Sequence, residues 1–304
     1  MNSLVRNLIV LIELPLLIFR RMFFWQISNK KHLPGKVFGS FGFELGRKLI
    51  LKLKLTPKLL LNPVSIVRYF EYDFVNSSFE FKDDTRILDI SSPYLFGFFQ
   101  VNRLRLNYCY INPDKRELTN INSLISKLSF KGNYSAQIMD AQNLIFPDNF
   151  FDEVVSISVI EHVADDGDSK AMKEIWRVLK SGGILSFTVP VKKQFEIDYR
   201  NRDEYNLNPQ NENSSGYFFQ RFYDDQKIQE RLLSSISNYE IIYKKIFGVN
   251  EKGFFSEYKK RWLKYNYWET VKDPYYIVND FSYYTRIEDV PDVGVIGLTI
   301  KKLI

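Results

Sequence analysis

One cysteine in 304 residues, Cys109, excludes an intrachain disulfide framework and an all-cysteine zinc site. Histidine is almost as scarce. His32 stands in a basic stretch with no metal-ligand residues around it, which points to surface or packing use, and His162 follows an apolar run. The apolar run Leu8 to Phe19 has only twelve residues and contains Glu13 and Pro15, short of the roughly twenty that a spanning helix needs. No small-residue cleavage site follows it; Arg20-Arg21-Met22-Phe23-Phe24-Trp25 follows instead, which argues against a cleavable signal. A basic surface spread over the whole chain is also missing. The net charge is +6, but residues 1 to 60 hold 11 basic and 2 acidic residues, while the remaining 244 hold 31 and 34. With 45% hydrophobic residues the chain is long enough to bury a sizeable core, so disorder is a poor reading.

The N-terminal excess of charge accompanies apolar residues. Arg47, Lys48, Lys52, Lys54 and Lys58 interleave with Leu45, Leu49, Ile50, Leu51, Leu53 and Leu55. Two readings stand. In one, residues 1 to 60 make peripheral membrane contact, with an apolar side in the headgroup region, Arg and Lys toward anionic lipid and Trp25 at the boundary. In the other, the segment packs on the protein's own core. Nucleic acid is a weaker partner, because the basic residues alternate with aliphatic rather than stacking side chains.

From Arg86 onward short strands alternate with helices. Strands are expected over Arg86–Ile90, Tyr108–Ile111, Ser135–Met139, Phe151–Ile157, Ile184–Pro190, Tyr239–Phe247 and Val293–Lys301. Helices are expected near Leu95–Arg103, Glu117–Leu128, Ser169–Leu179 and Asp224–Ser235. This order predicts an α/β fold: a Rossmann-like, seven-stranded, mostly parallel sheet with helices on both faces, plus a helical N-terminal extension. The expected division is an extension over residues 1–81 and a domain over 82–304, with insertions at 192–217 and 250–291. In such sheets ligands bind at the carboxyl ends of the strands.

The most specific stretch is Asp140 to Pro190. It contains Phe-Pro-Asp-Asn-Phe-Phe-Asp (146–152), Val-Ile-Glu-His-Val (159–163) and Glu-Ile-Trp-Arg-Val-Leu-Lys-Ser-Gly-Gly (174–183). Glu174, Ile175, Val178 and Leu179 share a helix face, and Ser181-Gly182-Gly183 is expected to end that helix. Together these motifs closely resemble the class I S-adenosylmethionine-dependent methyltransferases of the type 11 kind, over about residues 86 to 303.

The resemblance implies S-adenosylmethionine as cofactor and assigns positions one by one. Asp89 ends the first strand. The following loop, where the family has Gly-x-Gly-x-Gly, reads Ser91-Ser92-Pro93-Tyr94-Leu95, so all three glycines are absent; hydroxyls of Ser91 and Ser92 are expected to replace some amide contacts. Asn112 stands where the ribose-binding acid usually lies, with Asp114 as an alternative carboxylate. Asp140 and Ala141 match the adenine-binding positions. Glu161 and His162 lie at the level of the transferred methyl group, where His162 either serves as a base toward an acceptor hydroxyl or shapes the pocket with Glu161. No metal is implied.

Acceptor choice falls to the segments leaving the same edge. Arg221 and Tyr223 are candidates to hold an anionic or sugar-like acceptor, the alternative being a surface pair of Arg221 with Asp224 or Asp225. Asp224 is the expected cap of the next helix. Arg68, Glu71 and Tyr72 either close over the cofactor or pair on a helix surface, and the aromatic insertion at 250–291 is either a lid or a hydrophobic subcore. The function expected is methyl transfer to a small-molecule, glycan or lipid-linked acceptor of cell-surface polysaccharide or glycolipid synthesis. The expected location is cytoplasmic, peripheral on the membrane. The competing class is a catalytically inactive descendant of the fold that serves as a membrane-attached interaction module.

Overall fold

The computed structural model describes residues 3–204, 212–213 and 216–304, with side chains from Ile12 onward except at 212–213. The remainder of the expected 192–217 insertion lies outside the described residues. Helices α1 (Ser3–Asn29), α2 (Lys36–Leu51), α3 (Pro57–Leu61) and α4 (Arg68–Ser78) precede strand β1 (Arg86–Ile90). Then come α5 (Leu95–Arg103), β2 (Asn107–Asn112), α6 (Lys115–Ile125), β3 (Asn133–Ile138), β4 (Phe151–Ile157), α7 (Gly167–Val178) and β5 (Leu179–Val191). Three shorter strands follow, β6 (Glu196–Arg200), β7 (Glu212–Asn213) and β8 (Gly216–Phe222). The chain continues through α8 (Asp225–Lys227) and π-helical turns over Ile228–Leu233 to β9 (Tyr239–Val249), α9 (Phe254–Tyr265), α10 (Tyr267–Thr270), α11 (Asp273–Asn279), β10 (Phe281–Tyr284) and β11 (Gly294–Lys302).

Two compact units result, one from residues 1–73 and 249–282, the other from 74–248 and 283–304. The expected insertion at 250–291 therefore folds mostly with the N-terminal helices rather than as an appendage of the α/β domain, and the first boundary falls at 73/74 rather than 81/82. Side-chain chemistry ties this helical unit together. The Trp268 indole donates to Glu13 (2.9 Å), and Leu17, Leu60, Leu61 and Val271 form a common core. Buried Asp273 accepts from Asn62 Nδ2 (2.8 Å), the Ile66 amide (3.0 Å) and the Tyr258 hydroxyl (2.8 Å). Burial pushes its carboxyl up to about 7 against those bonds. Glu71, expected as a cofactor-closing or surface residue, is buried and accepts from Arg68, and Tyr72 is buried as well. Within the aromatic insertion Val271, Ile277 and Phe281 join the core, whereas α9 buries no side chain and Trp262, Tyr265 and Tyr283 are exposed.

In the α/β unit the main sheet runs β10-β9-β11-β5-β4-β1-β2-β3. Pairs β3/β2, β2/β1, β1/β4 and β4/β5 are parallel, and β11 is antiparallel to both β5 and β9. All seven expected strands are present. The eighth, β10, is a four-residue edge strand inside the aromatic stretch, too short to show alternation. A separate sheet, β6-β8-β7, forms from the polar excursion after β5. Helix α7 ends at Val178, and Leu179 already pairs with Phe151, so the expected glycine stop does not end the helix. Instead Gly182, at φ 78°, turns a short bulge within β5. Gly97 lets α5 lie on the sheet, since a Cβ there would stand 2.6 Å from the Tyr108 ring.

Successive parallel strands leave β1 on both sides, with β2 and β3 to one side and β4 and β5 to the other. The switch in direction lies between β1 and β4, and the loops after these strands form the edge where ligands collect. Glu153 of β4 is buried, with Oε2 lacking a hydrogen-bond partner, and burial followed by the neighbouring Asp152 charge pushes its carboxyl to about 8. The folded state therefore holds a proton that the unfolded chain releases near pH 4.5. Stability should fall as pH rises from about 4.5 to about 8 and then level off. Glu153→Gln should flatten that slope and raise stability above pH 8 on the order of 3 kcal/mol, as read by urea unfolding across the range; an unchanged slope would place the titration elsewhere.

Candidate active site

The turn after β1 is built around one buried carboxylate. Asp89 accepts from the Ser92 amide (2.8 Å) and the Tyr108 hydroxyl (2.5 Å). Burial pushes it up to about 6, with both bonds opposing. Ser91 takes φ 53°, the left-handed conformation that glycine adopts readily, so the backbone turn expected of a glycine is present without one. Its amide and hydroxyl both donate to the Ile111 carbonyl (2.9 and 2.8 Å), and Ser92 Oγ accepts from the Ile157 amide (3.0 Å). These bonds join the ends of β1, β2 and β4. The two hydroxyls that sequence reasoning offered to a ligand are therefore engaged in holding the turn.

Asn112, at the end of β2, donates to the Tyr110 hydroxyl (2.9 Å) and accepts from the Asp114 amide (2.7 Å). Asp114 caps α6 through the Arg116 amide (2.8 Å) and pairs with the Arg116 guanidinium (3.2 Å). After β3, Asp140 is exposed and accepts from Gln142, while Ala141 beside it is buried. Arg177 and Glu174 hold this loop. Arg177 donates to the carbonyls of Leu144 (2.8 Å) and Phe146 (2.9 Å) and to Asp148 (2.7 Å), and Glu174 accepts from the Leu144 amide (2.9 Å). The Glu-Ile-Trp-Arg motif thus acts on the loop that carries Asp140, not only on helix packing.

After β4, Ser158 again takes a positive φ (47°), and a 3-10 turn over Ile160–His162 presents Glu161 and His162. His162 Nδ1 lies 2.7 Å from the Phe219 carbonyl of β8. A carbonyl only accepts, so Nδ1 carries the proton and the neutral ring has its lone pair on Nε2. Nε2 stands 3.8 Å from Oε1 of buried Glu161, and the imidazole meets the Phe219 ring edge-on at 4.9 Å.

Arg221 and Tyr223 lie elsewhere than the acceptor-binding expectation places them. Both are buried. Arg221 donates to the carbonyls of Val163 and Asp165 (2.5 Å each), and the Tyr223 hydroxyl donates to Asp168 (2.9 Å). Asp168, buried at the start of α7, also receives two bonds from Arg231 (2.8 and 2.7 Å). The pair therefore clamps the loop behind Glu161 and His162, and the surface pairing of Arg221 with Asp224 or Asp225 does not form. Asp224 does cap its helix, accepting from the Lys227 amide (2.8 Å). Sequence reasoning missed Asp168 and Phe219. Asp168 reads as an ordinary acidic residue of a helix start, and Phe219 contributes only a carbonyl; inward alternation along Arg221 and Tyr223 was the available signal. A cleft of about 610 Å³ lined by Asn102, Arg103, Phe130 and Lys131 lies at the opposite, amino edge and holds none of these groups.

Residues 93–187 match a family model described as a methyltransferase domain. Over these residues, about a third of the chain, the sequence is thus similar to a methyltransferase domain. The match begins at Pro93, inside the β1 turn, and ends within β5, so it contains Asn112, Asp140, Glu161 and His162. Among solved structures, MccD protein is 12% identical with a TM-score of 0.52, covering 77% of this chain and 96% of its own. A putative sarcosine dimethylglycine methyltransferase of Galdieria sulphuraria is 12% identical (TM-score 0.49, 77% and 83% covered). A SAM-dependent methyltransferase of Methanosarcina mazei is 15% identical (TM-score 0.48, 76% and 97%). At these identities the likeness is one of fold. No curated protein matches in sequence. The Arg177→Ala variant should lose about 1 to 3 kcal/mol, since several charge-assisted bonds go at once from a partly exposed group. It should also cleave faster at residues 140–148 in limited proteolysis; an intact loop would show that Arg177 does not hold it.

Proposed function

We propose that the methyltransferase binds S-adenosylmethionine along the carboxyl edge of β1, β2 and β3 and presents its methyl group to an acceptor beside His162. The donor set fits that cofactor. Ser91 supplies the left-handed turn, Asp89 holds it, and the backbone of Ser91 to Pro93 faces the amino-acid end. Asn112 offers an amide oxygen and nitrogen to the ribose in exchange for its bonds to Asp114 and Tyr110. Asp140 takes the adenine amino group with Ala141 beside it. The sulfonium supplies an activated methyl group, and the chain's task is to align the acceptor and exclude water.

The observation that carries the reading is the His162–Phe219 bond, which fixes the tautomer with Nε2 as the proton acceptor. Nε2 accepts the proton of an acceptor hydroxyl or amine as its oxygen or nitrogen attacks, and buried Glu161 favours the resulting imidazolium. Arg221, Tyr223 and Asp168 act through the loop, as positioning residues. The acceptor proposed is a glycan or lipid-linked intermediate of surface polysaccharide or glycolipid synthesis, met at the cytoplasmic face of a membrane. Support comes from the aromatic Phe219 beside His162, with the Arg200 guanidinium over its ring, a pairing suited to an anionic or sugar-like group, and from the basic, apolar composition of residues 1 to 60.

Asp140→Ala should weaken S-adenosylhomocysteine binding at least about tenfold in calorimetric titration, the loss of a bond to a charged group. His162→Gln should leave that affinity unchanged and lower methyl transfer about 10²- to 10⁴-fold. Transfer is read as label from a radioactive methyl donor entering the lipid-extractable or polymeric fraction of a cell-envelope extract. Label confined to small water-soluble products would contradict the acceptor class, and absence of any binding heat would contradict methyl transfer itself, leaving the interaction module.

A further inference from the structure

Helix α1 is polarised in the opposite sense to a helix that faces water. Ile12, Leu16, Phe19 and Phe23 are 72%, 63%, 74% and 53% exposed, with Met22 exposed beside them. They recur at i, i+4, i+7 and i+11 and so form one stripe. No charge interrupts it. The three charged residues of this stretch turn into the helical unit instead: Glu13 accepts from the Trp268 indole, Arg20 donates to the Trp268 carbonyl (3.1 Å), and Arg21 donates to the Leu60 carbonyl (3.2 Å). Trp25 also packs inward, against Gly39 and Phe43. The expectation that Arg20, Arg21 and Trp25 meet lipid is thereby replaced. The apolar residues between them face outward.

The same unit has a second exposed apolar feature. Leu51 and Leu53, beyond or at the end of α2, are 84% and 98% exposed on either side of Lys52. Leu53 also holds φ 56°, a strained conformation for a branched side chain. Residues 30 to 58 carry eight Lys and Arg against the single acid Glu44. Among the described residues no helix is long and apolar enough to cross a membrane. An uncharged stripe on a helix of 27 residues, in a strongly basic unit, suits a surface that is apolar within and anionic at its boundary. A second copy of the chain would cover the stripe only by bringing two such basic segments together.

We propose that the Ile12-Leu16-Phe19-Phe23 face of α1 inserts into the headgroup region of an anionic bilayer, with the helix lying in the membrane plane. This deepens the membrane-side reading above by naming the contact, and it stands without the methyl-transfer chemistry. Insertion is apolar, so raised salt weakens it only in part, the Lys and Arg residues supplying the anionic preference.

The test is flotation of the full chain with phosphatidylcholine vesicles, with and without about one-third phosphatidylglycerol, at about 0.1 M and about 0.5 M salt. The wild type should float with anionic vesicles at both salts. The triple variant Leu16→Ser, Phe19→Ser, Phe23→Ser should bind at least about tenfold less, with unchanged S-adenosylhomocysteine affinity as the check on folding. A second measurement keeps the wild-type stripe: a nitroxide attached after Phe19→Cys, Cys109 being buried, should become shielded from aqueous relaxation agents on vesicle addition. Equal flotation of variant and wild type would overturn the proposal, as would unchanged nitroxide accessibility. A vesicle-free dimer that the triple variant converts to monomer would assign the stripe to a second copy.

Discussion

The carboxyl edge of the parallel strands depends on the carboxylate of Asp89. Buried at the end of β1, it holds the Ser92 amide and the Tyr108 hydroxyl at once, and the turn it anchors ties three neighbouring strands by hydrogen bonds. A positive φ at a serine costs on the order of 1 kcal/mol, and here the surrounding bonds over-determine it. Glycine would remove that strain but also the Oγ bond to Ile111. The chain thus holds by side-chain hydrogen bonding a left-handed backbone geometry that glycine would adopt by conformational freedom. Of its positive-φ residues other than glycine, Ser91, Ser158 and Asp165 lie in loops leaving this edge, where such strain clusters when geometry serves a site.

A second node holds the turn that carries Glu161 and His162. Asp168 gathers Tyr223 and Arg231, while Arg221 pins the two carbonyls just before it. The result fixes β8 against the 3-10 turn, and β8 in turn offers the Phe219 carbonyl to His162. Position and tautomer of the imidazole therefore follow from buried residues behind the turn.

Much of this was legible in order and pattern. Leu95–Arg103 and Phe151–Ile157 have the predicted bounds, because a buried helix face and a buried parallel strand show in composition. Asp140 and the Glu161–His162 pair lie after the strands that the alternation assigns them. What did not show were contacts between residues far apart in the chain. Arg221 and Tyr223 look like surface residues until β8 is known to pack their alternate side inward, and Glu13 and Trp268, 255 positions apart, give no sign of meeting. The orientation of α1 was hidden for the same reason: which face of an apolar helix turns outward depends on where its few charges find partners.

The central claim is that a turn without glycine still forms an S-adenosylmethionine site. A crystal structure of the chain grown with S-adenosylhomocysteine tests it most directly. The account predicts the ligand's amino-acid end against the Ser91–Pro93 backbone, its ribose at Asn112 and its adenine amino group on Asp140, with Ser91 still at positive φ. Ligand bound away from this edge, or a β1 turn that must unfold to admit it, would contradict the account.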